Sequence, residues 1–297
     1  MTIGIRINNS SKYADYDSIV KRRIWTFNST FFLLLFFPHT QISAARISII
    51  GDSLSVVKNS GLGNQLDSKL RSEGHKLHTV AACGSKPENY LAGNAWKTDC
   101  GFLYRNEKSE ETYLEYLKAK KNPQEIPSLA SVLKFSQNQK PDLLVIQQGT
   151  NLFGYLQKSP PDVKGLKMQI HDLLKDFQNK NARTRCLWVA PPKITKFNGQ
   201  EIVADQSNLL FQTIEESIDE FSKFIGLQKK QRCELIDSRD FTDPPDQWDG
   251  THFKKSNQNK KWVEHVHQKI NRMLKEDAFD FSVVHENANT PTRVLHE

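Results

Sequence analysis

The chain has 297 residues, of which 37% are hydrophobic and 25% are charged, and its formal net charge is +7. This apolar content can fill one sizeable core, so we expect one catalytic-size domain. The basic excess is spread along the chain without a helix-turn-helix, zinc-finger or RNP pattern, which argues against a nucleic-acid partner.

The first 44 residues predict a cleavable signal peptide. A basic stretch, Lys21 to Arg23, precedes a short apolar run, Ile24 to Phe37, and small residues follow near Ala44. The apolar run is shorter than the roughly 20 residues that span a membrane, and polar residues interrupt it. We therefore expect cleavage near Ala44, a mature chain that is secreted or periplasmic, and no stable membrane insertion after processing.

From Ala45 onward, short apolar runs alternate with longer amphipathic stretches, which is typical of a parallel sheet covered by helices on both faces. Predicted strands are Arg46 to Ile50, Lys76 to Ala81, Asp142 to Gln147, Cys186 to Ala190 and Cys233 to Asp237. Predicted helices are Leu62 to Glu73, Ser128 to Ser136, Asp162 to Asn179, Asp205 to Phe224 and Ser256 to Leu274.

The domain is predicted to span residues 45–275. Within it, residues 86–127 interrupt the alternation with glycine, asparagine and a charged stretch, and we interpret them as a polar insertion. Residues 276–297 are polar without a clear period, so a loosely attached tail is expected.

All four cysteines follow the predicted cleavage site. An even number in an oxidising compartment is compatible with two disulfides, and three pairings are possible. Sequence order suggests Cys83 with Cys100 and Cys186 with Cys233, while four buried free thiols remain the alternative. No CxxC or HExxH pattern occurs, so no metal site is expected.

Functional groups of open α/β sheets gather at the carboxyl ends of the strands. Ser53 follows the first predicted strand and His252 follows the last. A serine hydroxyl needs a base to take its proton, and the base needs a carboxylate to orient it. Asp249, three residues before His252, can supply that carboxylate from a tight turn, although Asp243 and Asp246 are competitors.

The oxyanion that forms during acyl transfer needs aimed hydrogen-bond donors. Gly84, after the second strand, can give an uncrowded backbone N–H, and Asn151, after the third, can give a side-chain amide. The backbone N–H of Ser53 could complete the oxyanion hole. Each residue also has a structural interpretation as a helix cap, a turn residue or a surface histidine.

Four blocks, GDSLS at residues 51–55, Gly84, GTN at 149–151 and DGTH at 249–252, together resemble the SGNH (GDSL) hydrolase family in order and spacing. The resemblance implies a flavodoxin-like three-layer α/β/α sandwich with a five-stranded, mainly parallel sheet. It also implies hydrolysis of esters or thioesters with no metal or organic cofactor. One departure is Leu152, which stands where the family pattern has Asp.

These features predict an exported serine ester hydrolase, most plausibly a monomeric carbohydrate O-acetyl esterase acting on a small-molecule or polysaccharide ester. The polar insertion disfavours a lipase or lysophospholipase. Thioesterase or acyltransferase activity, or a non-catalytic wall-binding role, remains open. Trp96, Trp248 and Phe153 could stack on a sugar or pack in the core. His265 and His267 on the last helix are interpreted as surface residues.

Overall fold

A computed structural model describes residues 44–57, 61–92, 97–98, 100–180, 184–227, 232–241, 251–253 and 259–288, with side chains up to Glu276 except that of Tyr116. The predicted signal peptide up to residue 43 lies outside these residues. So do the predicted triad carboxylate Asp249 and its competitors Asp243 and Asp246.

The strands are β1 Arg46–Gly51, β2 Lys76–Ala82, β3 Lys97–Thr98, β4 Phe102–Arg105, β5 Glu111–Leu114, β6 Gln124–Glu125, β7 Leu143–Gln147, β8 Arg185–Val189, β9 Lys196–Phe197, β10 Gln200–Glu201 and β11 Glu234–Ile236. The α-helices are α1 Ser53–Val56, α2 Leu62–Ser72, α3 Tyr116–Lys121, α4 Leu129–Val132, α5 Phe153–Leu156, α6 Val163–Lys180, α7 Ala204–Phe224 and α8 Lys260–Ala288. Short 3₁₀ helices lie at Pro87–Tyr90, Ser136–Asn138 and Thr150–Leu152.

The main sheet has seven strands in the order β11-β8-β7-β1-β2-β4-β5. Its first five members are parallel, and in the centre Ile47 of β1 pairs with Leu77 of β2 and Leu143 of β7. The predicted α/β fold with a mainly parallel sheet is confirmed. The predicted number of five strands is wrong, because β4 and β5 from the polar insertion add two antiparallel strands at one edge.

Apolar side chains cover both faces of this sheet. Alternating residues of β1 point to opposite sides, so Ile47 and Ile49 pack with one set of helices and Ile50 with the other. Helices α2 and α8 cover the first face, and helices including α6 and α7 cover the second. Each fully buried aliphatic side chain of this kind contributes roughly 1.5–3 kcal/mol, so the two layers hold the strand ends in fixed positions.

Both disulfides suggested by sequence order are present. Cys186 and Cys233 join β8 to the residue just before β11, and Cys83 and Cys100 join the residue after β2 to the one just before Gly101 and β4. Each disulfide therefore links two strands, or the residues next to them, that are neighbours in the main sheet. The described cysteines therefore contain no free thiol.

Helix α8 begins later than predicted and runs past Leu274 to Ala288, into the segment that the sequence assigned to a tail. The interpretation of His267 as a surface residue is wrong. Its ring is buried and its Nε2 lies 2.7 Å from Glu73 Oε1 at the end of α2, because α8 packs on that helix. His265 is half-buried and stacks on Phe241, with ring centroids 3.7 Å apart.

Within the described residues, no helix is long and apolar enough to cross a membrane. The same residues contain no group of three or more histidine, cysteine, aspartate or glutamate side chains arranged to hold a metal ion.

Candidate active site

Ser53 lies at the turn between β1 and α1. The turn is tight, since a Cβ on Gly51 would come within 2.4 Å of the Ser55 Cβ. The Ser55 hydroxyl donates to Gln147 Oε1 at 2.7 Å, which fixes the start of α1 against β7. Ser53 is consequently held at the carboxyl edge of the sheet, where it lines a cleft although only 7% of its surface is exposed.

The fully buried carboxylate of Asp52 ties this turn to the loop after β7. Its Oδ1 accepts from the backbone N–H of Leu54 at 3.0 Å, and its Oδ2 accepts from the N–H of Thr150 at 3.1 Å. Burial raises the pKa of Asp52, and the hydrogen bonds from Leu54, Thr150 and Gln147 offset part of that rise. Asp52 thus connects the turn that carries Ser53 to the segment that carries Asn151.

The loop after β2 carries Gly84, whose φ of 78° lies in the left-handed region that glycine tolerates best. Two contacts hold this loop against the turn that carries Ser53. The Ser85 hydroxyl donates to the Gly51 carbonyl at 3.2 Å, and the Tyr90 hydroxyl donates to the same carbonyl at 2.6 Å. The disulfide from Cys83 to Cys100 fixes the other side of the loop.

Asn151 lies in the 3₁₀ turn that follows β7. Its side-chain amide donates to the Ser85 carbonyl at 2.8 Å, so the two predicted oxyanion segments contact each other directly. An amide carries two N–H donors, and this bond fixes the group while using one of them. Leu152 is fully buried in the apolar core, so the departure from the family pattern replaces a carboxylate by core packing.

His252 lies between two anchored neighbours. Thr251 is buried and its hydroxyl donates to the Lys196 carbonyl, while Phe253 is buried beside Trp262 with ring centroids 6.2 Å apart. These contacts hold the histidine segment against β9 on one side and α8 on the other. His252 itself is half-buried and lines the same cleft as Ser53.

The cleft has a volume of about 450 Å³. Ser53, Gly84, Asn151 and His252, which come from four separate parts of the chain, all line it. The Cys83–Cys100 disulfide forms part of its wall, and the β9–β10 hairpin forms another part. The volume lies within the range typical of small-ligand sites.

Sequence reasoning missed the β9–β10 hairpin. Its strands pair antiparallel across the two-residue turn Asn198–Gly199, and its residues 196–199 line the cleft. Asn-Gly between short strands is a strong hairpin signal and could have identified it. Phe153, considered for sugar stacking, is instead buried against Phe197, while Trp96 and Trp248 lie outside the described residues.

This arrangement supplies a hydroxyl, an imidazole and amide donors around one space. A substrate carbonyl in that space could be attacked by a serine oxygen while its own oxygen faces N–H groups. Acyl transfer through a covalent intermediate is the chemistry that such a set of groups supports.

No protein-family profile matches the chain, and no curated protein matches it. Among solved structures, similar backbones occur in an acetyl esterase mutant crystallised with an acetate ion (11% identity, 78% of this chain and 99% of the other, TM-score 0.48). They also occur in a carbohydrate esterase family 3 protein from Talaromyces cellulolyticus (11% identity, 78% of this chain and 99% of the other, TM-score 0.47). A third similar structure is a GDSL-like lipase from Bacteroides thetaiotaomicron (10% identity, 77% of this chain and 88% of the other, TM-score 0.43).

Proposed function

We propose that the protein is a serine ester hydrolase of the SGNH type that removes acetyl groups from carbohydrates. The observation that carries the proposal is the convergence of Ser53, Gly84, Asn151 and His252 on one cleft. A structural interpretation explains each residue alone, but it gives no reason for the four to share one surface.

The proposed reaction has two halves. In the first, Ser53 Oγ attacks the ester carbonyl carbon and its proton passes to His252, while the backbone N–H of Gly84 and of Ser53 and the amide of Asn151 receive the oxyanion. The C–O bond to the sugar then breaks, and His252 returns the proton to the leaving alcohol. In the second half, water attacks the acyl-serine, gives its proton to His252, and releases the acid as Ser53 regains a proton. Asp249 is proposed to orient the imidazole.

Short acyl groups and a sugar alcohol fit the groups that line the cleft. Its lining mixes amide, hydroxyl and glycine backbone groups with few apolar side chains, of which Phe197 is the largest. The insertion contributes β4, half of whose residues are buried, and β5, whose residues are all exposed or partly exposed, at one edge of the sheet. Neither feature provides the long apolar channel that a fatty acyl chain needs.

We also propose that the protein is exported. Two disulfides link its strands, and such bonds persist in oxidising compartments. The expected mature chain begins near Ala45, whose backbone N–H already donates to the buried ring of His75 at 3.1 Å, immediately before β1. Intact-mass measurement of the extracellular or periplasmic protein checks this start point.

Ser53→Ala and His252→Ala are each expected to lower hydrolysis of 4-nitrophenyl acetate by several orders of magnitude in a folded protein. The double variant should lose little more than either single one, because the two residues act as a unit. Ser131→Ala, which removes an exposed hydroxyl on α4, is the matched control. Wild-type turnover in folded Ser53→Ala would overturn the proposal, and an acyl series from acetate to octanoate tests the preference for acetyl groups.

A further inference from the structure

The β9–β10 hairpin brings a basic side chain to the cleft. Among the described residues that line it, Lys196 is the one lysine or arginine, and none is a carboxylate. The side chain is exposed, and its ammonium makes no ion pair with any carboxylate in the described part of the chain. An exposed cation that no carboxylate of the described residues pairs with, beside a candidate site, favours binding of an anion from solution.

The backbone beneath this charge is firmly held. The Lys196 carbonyl accepts the Thr251 hydroxyl next to His252, and Gln157 donates to the Phe197 carbonyl at 3.1 Å. The Phe197 ring is buried against Phe153. The hairpin therefore keeps a fixed position relative to the histidine, so that the lysine reaches ligands in the cleft from one defined side.

A nearby carboxylate moderates this charge without cancelling it. Glu201 lies opposite Lys196 in the hairpin register, yet the two charged groups form no ion pair. Opposite charges on facing strands still attract each other weakly across solvent. Glu201 should consequently weaken the attraction of Lys196 for an external anion, and its removal should strengthen it.

We propose that Lys196 is a specificity-determining residue that binds a carboxylate on the alcohol part of the substrate, so that the preferred ester belongs to an acidic polysaccharide such as a uronic-acid polymer. The proposal rests on the proposed function for the chemistry of the cleft. The role of Lys196 specifies that the sugar chain is acidic, a preference that the groups around Ser53 do not determine.

The first test measures equilibrium binding and requires no turnover. Oligogalacturonate and a neutral manno-oligosaccharide of equal length are titrated into the wild type, Lys196→Gln, Lys196→Arg and Lys193→Gln. The wild type should prefer oligogalacturonate at low salt, and Lys196→Gln should lose about 5-fold of that preference, as expected for one partly solvated ion pair. Arginine should restore it, and Glu201→Gln should increase it.

The control and the salt dependence separate this effect from net charge. Lys193 is exposed three residues earlier and does not line the cleft, so Lys193→Gln should keep the wild-type preference. Raising the salt concentration should reduce the preference in the wild type much more than in Lys196→Gln, because ions screen an exposed pair. An equal loss in both glutamine variants would overturn the proposal.

The second test compares kcat/KM on the O-acetylated forms of polygalacturonate and of glucomannan. The ratio of the two values should fall about 5-fold in Lys196→Gln, mainly through KM for the acidic substrate. Hydrolysis of both polymers with the same ratio in wild type and Lys196→Gln would refute the role of Lys196 and leave the proposed function intact. Charge-dependent binding without hydrolysis of any ester would refute the proposed function and leave the role of Lys196 intact.

Discussion

At the scale of single residues, the amide of Asn151 has a structural role beside the chemical one proposed for it. Its donation to the Ser85 carbonyl joins the loop after β7 to the loop that carries Gly84. Because one N–H is engaged there, the plane of the amide is defined before any substrate arrives. A donor that needs no rearrangement stabilises developing charge most effectively.

Replacing Asn151 by alanine is expected to lower kcat roughly 100-fold with little change in KM, because in the proposed reaction its amide acts mainly on the developing oxyanion. Steady-state kinetics on 4-nitrophenyl acetate measure both constants. Gln65→Ala is the control for a general loss of packing. It removes an amide that donates at 3.1 Å to Asn259, the residue just before α8. A change confined to KM would make Asn151 a substrate-binding residue instead.

Three of the residues that sequence reasoning identified share one property. Ser53, Gly84 and Asn151 each follow an apolar run by a few positions, so a rule about strand ends was enough to select them. Lys196 follows β8 at a greater distance and belongs to a hairpin with strands of only two residues, which no apolar period marks. Likewise, the burial of His267 depends on the end of α2, almost 200 positions away, a contact that no local pattern contains.

At the scale of elements, the loop after β2 connects the turn that carries Ser53 to strand β4, which lies next to the edge strand β5. Its outer end is closed by the Cys83–Cys100 disulfide, which spans 17 positions. The backbone N–H of Cys83 also donates to the Gly101 carbonyl at 2.9 Å. The orientation of Gly84 is thus set from both sides.

Cys100→Ser is expected to lower both the melting temperature and kcat. Opening the loop costs about 3 kcal/mol of stability in the chain-entropy model, and a looser Gly84 aims its N–H less well. Thermal unfolding and turnover well below the melting temperature measure the two effects, and peptide mapping without reductant should find Cys83 bonded to Cys100.

The second disulfide provides the matched control for that variant. Cys233→Ser should lower the melting temperature while leaving kcat much closer to the wild-type value, because the Cys186–Cys233 bond does not line the cleft. A loss of kcat as large as that of Cys100→Ser would show that turnover follows overall stability and not the Gly84 loop.

Strand prediction succeeded or failed according to burial. The run from Arg46 to Ile50 predicted β1 to within one residue, since all of β1 except its first residue is buried. Strands β4 and β5 escaped prediction because half or all of their side chains are partly exposed and the segments are four residues long. Such a pattern is indistinguishable from a polar loop until the neighbouring strand is known.

At the scale of the whole molecule, Glu234 fastens the edge strand β11 to its surroundings. Arg185 on β8 donates to its Oε1 at 2.6 Å, and Lys269 on α8 donates to its other oxygen. Burial opposes ionisation of Glu234, but the bonds and charges of Lys269 and Arg185 outweigh it and lower its pKa. One carboxylate therefore links the sheet to the last helix.

A lowered pKa means that Glu234 stabilises the folded state fully above its ordinary pKa and loses that contribution as the pH falls through the lowered value. Glu234→Gln should reduce the free energy of unfolding by on the order of 1 kcal/mol at pH 7, and the difference from wild type should disappear in acid. Urea unfolding of both proteins across a pH series measures this difference in the free energy of unfolding. Glu125→Gln, which removes an exposed carboxylate on β6, is the control and should leave the free energy of unfolding at pH 7 close to the wild-type value.

The bond between Cys186 and Cys233 has a consequence for cleavage of the chain by proteases. A single cut anywhere between these two positions would divide the chain into one piece with Ser53 and another with His252. The disulfide would keep the pieces joined as neighbouring strands of the sheet, so a nicked molecule would still present both groups to one cleft. The two pieces would separate on a denaturing gel only after reduction.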